Sequence, residues 1–198
     1  MQPREQAAIS KYNRRMHAAL FLDRDGVIIE NRPDYVRSWS DVVIYPGALA
    51  ALASIASTPI KVVIVTNQSA VGRGLMALGA AEDINARLAD EVHRAGGRID
   101  GVFMCPHAPE MGCDCRKPRP GLILRAAHTL DLDLGRSFLV GDALSDLQAA
   151  SAAGVSRLGL VLTGRGAFQL ASAKTAALPP FSVFQDLADA IKGLLSPG

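Results

Sequence analysis

The sequence predicts an α/β fold: a Rossmann-like parallel sheet with helices on both faces. Three observations lead there. Short runs rich in Val, Ile and Leu alternate with longer stretches of helical period. Polar and acidic residues follow directly after several of those runs, where an open parallel sheet places its ligands. The chain has 198 residues and 49% hydrophobic side chains, enough to bury one full core.

In chain order, strands are predicted at 18–22 (AALFL), 60–65 (IKVVIV), 99–104 (IDGVFM), 136–140 (RSFLV) and 157–162 (RLGLVL). Helices are predicted at 47–57, 80–95, 120–130, 144–153 and 184–195. Pro120 suits a helical first turn, and Gly154 suits a stop after QAASAA. The stretch VIIENRPDYVRSWSDVVIYPG is too long for an ordinary turn between strand and helix and reads as a flap folded over the sheet's end. Its Tyr35, Trp39 and Tyr45 either cover a site or pack against the sheet edge. No gap is wide enough for a large cap domain. The organisation is an N-terminal extension, residues 1–17, read as disordered, followed by a single domain, residues 18–198.

A net charge of +2 with scattered basic residues argues against a nucleic-acid binder. Neither a signal peptide nor a run of about eighteen apolar residues is present, so the reading is a cytoplasmic protein without a membrane partner. In that reducing setting, clustered cysteines point to metal.

The chemistry gathers at the predicted strand ends. Asp23-Arg24-Asp25-Gly26 follows the first, Thr66-Asn67-Gln68-Ser69 the second, and Gly141-Asp142 the fourth, with Asp146 one helical turn on. A single Asp after a strand is usually a helix cap. Carboxylates on two strand ends, a hydroxyl on a third and Lys117 before a helix together suit phosphoryl transfer, which depends on positioning and charge neutralisation. Asp23 and Asp142 can ligate Mg²⁺. One Asp can attack phosphorus, and Asp25 can exchange the proton with leaving group and water. Thr66 and Lys117 would hold phosphoryl oxygens, and Arg73 in SAVGRG would reach a second phosphate.

All three cysteines fall in CPHAPEMGCDCRKPRPG, where Cys105, His107, Cys113 and Cys115 form a complete tetrahedral set for structural Zn²⁺. So polar a loop cannot order itself by burial, so a metal would fix Arg116 and Lys117 against phosphate. The remaining histidines, His17, His93 and His128, lack metal-spaced partners.

DRDG, TN, the lysine and GDxxxD, in that order over residues 18–150, resemble the haloacid dehalogenase superfamily. FLDRDGVI, TNQSAVGRG, CPH with CDCRKPRPG, and GDALSDLQAA are similar to its bacterial heptose-bisphosphate phosphatase family. The resemblance implies a haloacid dehalogenase fold and removal of the C7 phosphate from a heptose 1,7-bisphosphate; a monomer is expected. It implies Asp23 as nucleophile, Asp25 as general acid and base and as a backbone-carbonyl ligand of Mg²⁺, and Asp142 as the remaining ligand. Thr66, Asn67, Arg116 and Lys117 would line the sugar phosphate. The chain departs at Ala143, where family members carry a basic residue. Histidinol-phosphate phosphatase, another small sugar-phosphate phosphatase, and a catalytically silent zinc-bound interaction module are the alternatives. Ser69 and Pro120-Gly121 weigh against the first of them.

Overall fold

The computed structural model describes residues 16–173 and 178–195, so all but Met16 and His17 of the expected N-terminal extension lie outside the described residues. Six parallel strands run β1 (Ala19–Leu22), β2 (Lys61–Asn67), β3 (Gly101–Cys105), β4 (Phe138–Gly141), β5 (Arg157–Val161) and β6 (Ser182–Phe184). Their spatial order is 3-2-1-4-5-6. The helices are α1 (Ala48–Ser54), α2 (Ser69–Gly72), α3 (Leu78–Arg94), α4 (Gly121–Leu130), α5 (Leu144–Ala153), α6 (Gly166–Ala173) and α7 (Leu187–Leu195). Among the described residues, no helix is long and apolar enough to cross a membrane.

Alternation along the buried strands builds two cores. Leu20, Leu22, Val62 and Ile64 face α1, α3 and α7. Ala19, Phe21, Val63 and Val65 face α4 and α5. Both sides of the central strands are apolar for that reason, and all five predicted strands are present within a few residues.

Three elements escape the sequence pattern. β6 has only three residues, two of them exposed, and pairs with β5 by register alone. α2 is a single turn, and α6 has no strong periodic face. Gly154 ends α5 in the left-handed conformation, φ 90°, as predicted, while Pro120 sits one residue before α4 as its N-cap. The predicted flap folds back on itself: Ile29 pairs antiparallel with Ile44, and Val36 tucks beneath. Trp39 and Tyr45 pack against the core, whereas Tyr35 faces a cavity.

The strand order switches direction between the parallel neighbours β1 and β4, which leaves a crevice beyond their carboxyl ends. Asp23 enters it directly, its N–H donating to Val140 O at 3.0 Å.

Candidate active site

The crevice opens into a cavity of about 770 Å³ lined by Asp23, Asp25, Arg73, Arg116, Lys117 and Arg165, among others. A wider cavity, about 1020 Å³, opens at the opposite end of the sheet around His17 and Arg136, away from the converging carboxylates.

Asp23, Asp142 and Asp146 each present a carboxylate oxygen within 4.8 Å of the others, and all three are buried. Three buried negative charges repel unless cations answer them. Lys117 answers two: its ammonium lies 3.0 Å from Asp23 Oδ1 and 2.7 Å from Asp146 Oδ1, and it donates to Val65 O at 2.7 Å. Arg165 answers Asp142, with Nη2 2.9 Å from Oδ1 and Nε 3.2 Å from Oδ2. Asn31 adds a 2.6 Å bond to the same Oδ2. Burial still pushes Asp146 up to about 6 and holds Asp142 above the usual carboxylate range. The set suits a further hard cation, and Mg²⁺ matches an all-oxygen donor set of this kind.

Close approach is possible because two loops carry glycine. A Cβ on Gly26, at φ +87°, would stand 2.1 Å from Asp142 Oδ2, and one on Gly164 would stand 2.4 Å from it.

Asp25 turns away from the carboxylate cluster. Its Oδ2 accepts from Gln68 Nε2 at 2.8 Å, and both oxygens accept from the Arg24 guanidinium. Gln68 also donates to Thr66 Oγ1 at 2.9 Å, tying that buried hydroxyl to Asp25. Asn67 does not reach into the cavity as a free amide. It brackets the Lys117 backbone, donating to its carbonyl and accepting its N–H, each at 3.1 Å. Arg116 donates to Ser69 Oγ at 2.7 Å and His107 O at 3.2 Å, and Asp114 pairs with Arg119 instead. Arg73, half exposed, lies 3.7 Å from Glu110.

The cysteine loop converges as its spacing predicts. Cys115 Sγ lies 3.2 Å from Cys105 Sγ and 3.4 Å from Cys113 Sγ, with His107 Nδ1 3.3 Å away. A tetrahedron with Zn–S near 2.3 Å has S···S edges of about 3.8 Å, close to these separations. Burial, joined by the neighbouring Cys115 and Cys113 sulfurs, pushes the Cys105 thiol up to about 12, so a bound cation is what would hold it as thiolate.

Arg165, Asn31 and Gln68 were not singled out by sequence reasoning. Arg165 had a usable signal, since TGRG follows the fifth predicted strand just as DRDG follows the first. His93 and His128 are exposed and belong to no metal cluster among the described residues.

A parallel sheet with buried carboxylates just after β1 and β4 and a lysine before α4 defines a HAD-like hydrolase, and a family model described as HAD-hydrolase-like matches residues 114–190. The D-glycero-beta-D-manno-heptose-1,7-bisphosphate 7-phosphatase of Bordetella bronchiseptica is 41% identical over 181 residues, 89% of this chain and 97% of the relative. A Burkholderia mallei D-glycero-alpha-D-manno-heptose-1,7-bisphosphate 7-phosphatase is also 41% identical, covering 91% and 95%. The chain belongs to this heptose-1,7-bisphosphate 7-phosphatase family and is a phosphoric monoester hydrolase. The crystal structure of the B. bronchiseptica D,D-heptose 1,7-bisphosphate phosphatase, complexed with magnesium and phosphate, superposes with a TM-score of 0.84 at 39% identity, over 90% of this chain and 98% of that one.

Proposed function

We propose that this enzyme removes the C7 phosphate of D-glycero-D-manno-heptose 1,7-bisphosphate through an aspartyl-phosphate on Asp23, with residues 18–198 acting as one domain. The observation that carries the reading is Asp23 itself. Its Oδ1 accepts the Arg24 N–H at 2.7 Å and Lys117 at 3.0 Å, leaving Oδ2 without a protein donor among the described residues.

Asp23 attacks phosphorus as the bond to the sugar oxygen breaks, and the proton on Asp25 passes to that oxygen. Water then attacks the aspartyl-phosphate, its proton goes to Asp25, and Asp23 is released with inorganic phosphate. Lys117 exchanges one of its carboxylate contacts for a phosphoryl oxygen, and Thr66 holds another. Asn67 fixes the Lys117 backbone. Asp23, Asp142 and the Asp25 carbonyl would hold Mg²⁺, which supplies charge neutralisation for the phosphoryl group. Cys105, His107, Cys113 and Cys115 would hold a structural Zn²⁺ that keeps Arg116 and Lys117 in place.

Arg116 and Arg73 line the same cavity and suit the phosphate that is held without being cleaved. The test is phosphate release from heptose 1,7-bisphosphate and from a heptose monophosphate. Asp23→Asn should abolish both. Arg116→Ala should lower kcat/KM about tenfold to a hundredfold more for the bisphosphate, as loss of one charge-assisted contact requires. Equal loss on both substrates would remove the second-phosphate role.

A further inference from the structure

Arg24 lies between the two catalytic aspartates in sequence, yet its side chain is the largest that is wholly buried among the described residues. A buried guanidinium is costly unless each N–H finds a partner. Here each face of the fork is used. Nε donates to Asp25 Oδ2 at 3.1 Å, Nη2 to Asp25 Oδ1 at 3.0 Å, and Nη1 to Asn85 Oδ1 at 2.9 Å. Asn85, in the middle of α3, is itself buried and donates to Met104 Sδ of β3 at 3.5 Å. The Asp25 carboxyl is thereby anchored to a helix and an edge strand through a planar group that cannot swivel.

We propose that Arg24 is a positioning residue that fixes the Asp25 carboxyl for proton transfer to the leaving oxygen, a role that rests on the reading of Asp25 as general acid and base. The bonding pattern specifies which oxygen works. Oδ2 accepts two hydrogen bonds, from Arg24 and Gln68, and Oδ1 accepts one, so Oδ1 keeps the free lone pair that carries the exchanged proton. The Arg24 backbone N–H meanwhile holds Asp23 Oδ1 at 2.7 Å, so a single residue sets the spacing between the nucleophile and the acid. Such spacing matters because displacement of a catalytic group by about 1 Å can cost about a hundredfold.

A purely structural ion pair would affect all substrates alike, and this difference makes the role testable. Two phosphate monoesters are compared by kcat/KM, which covers the steps through departure of the leaving group. From 4-nitrophenyl phosphate the phenolate leaves without a proton; from a sugar phosphate the alkoxide requires one. Asp25→Asn calibrates the assay, with a loss of about a hundredfold to ten-thousandfold on the sugar ester and far less on the aryl ester. Arg24→Met should reproduce that split, losing about tenfold to a hundredfold on the sugar ester and at least about tenfold less on the aryl ester. On the aryl ester it should also show a burst of 4-nitrophenolate, because water attack is slowed. In an Asp25→Asn background it should add little further loss. Arg24→Lys keeps the buried charge without the fork and should split the substrates in the same direction, so the comparison stands if the Met variant does not fold. Equal losses on both esters in a folded Arg24 variant would overturn the positioning role. Absence of a split in Asp25→Asn itself would instead remove the acid assignment on which it rests.

Discussion

Replacing Lys117 with Met keeps the length of the side chain and removes its charge. In the folded protein all three ammonium protons are committed, to Asp23, Asp146 and Val65 O at 3.0, 2.7 and 2.7 Å, with the lysine 3% exposed. Removing one partner from a buried ionic cluster costs about 3–5 kcal/mol, because the remaining charges stay buried and unanswered. At roughly 2–4 °C per kcal/mol for a chain of this size, melting measured in EDTA should fall by about 6–20 °C. Asp146 is pushed up to about 6 by burial even with Lys117 beside it, and loss of the lysine moves it higher. A carboxyl raised in the folded state is penalised once it ionises, so the deficit should be largest above about pH 6 and shrink toward pH 4, where Asp146 is neutral. The double variant Lys117→Met/Asp146→Asn removes one of the stranded charges and should recover a large part of the melting temperature. Turnover should remain down about a hundredfold to a thousandfold in both, since no lysine ammonium then meets the phosphoryl oxygens. A single variant melting within about 2 °C of the parent, or a double variant no more stable than the single, would refute the charge argument.

Cys113→Ala should lower zinc content by elemental analysis and lower the melting temperature together, because the cluster retains only three donors. Gly26→Ala should fold poorly or lose turnover in a phosphate-release assay: its Cβ would press on Asp142 from 2.1 Å at a backbone φ of +87°, a combined strain well above about 1 kcal/mol. Burial works against ionised Asp100, but bonds from Lys61, the Val62 N–H and Arg98 outweigh it and hold the carboxyl below 3.8. Asp100→Asn should therefore melt lower than the parent at pH 7, and the gap should close as pH falls through the depressed value, where the parent loses the same charge.

The strands that were legible in the sequence are those whose stability is local in composition: ALFL and KVVIV are apolar on every residue but one, and two-sided burial demands that. SVF of β6 is mostly exposed, and only its register on β5 makes it a strand. The acidic site residues were legible because strand ends in this topology carry chemistry, and the cysteine loop because four Cys and His ligands within eleven residues have few other uses. What escaped was pairing across the chain. Nothing near Arg165 announces Asp142, and nothing near Arg24 announces Asn85, since those contacts arise only when segments 23 and 61 residues away are brought together. Asn67 shows a further limit: the sequence placed it at the site, where it lines the cavity, and only geometry adds that it braces the Lys117 backbone.

The 3-2-1-4-5-6 strand order also shapes the birth of the molecule on the ribosome. β1 finds its first neighbour when β2 emerges, yet its other edge has no partner until β4 is made, after residue 137. Throughout that interval a fully apolar strand offers open backbone donors and acceptors, the kind of edge that recruits other chains. The cysteine loop is complete by residue 115, well before that edge is covered. Metal captured there would order the growing chain beside β3 while its centre is still unfinished, and nascent fragments ending before β4 are the ones most exposed to aggregation.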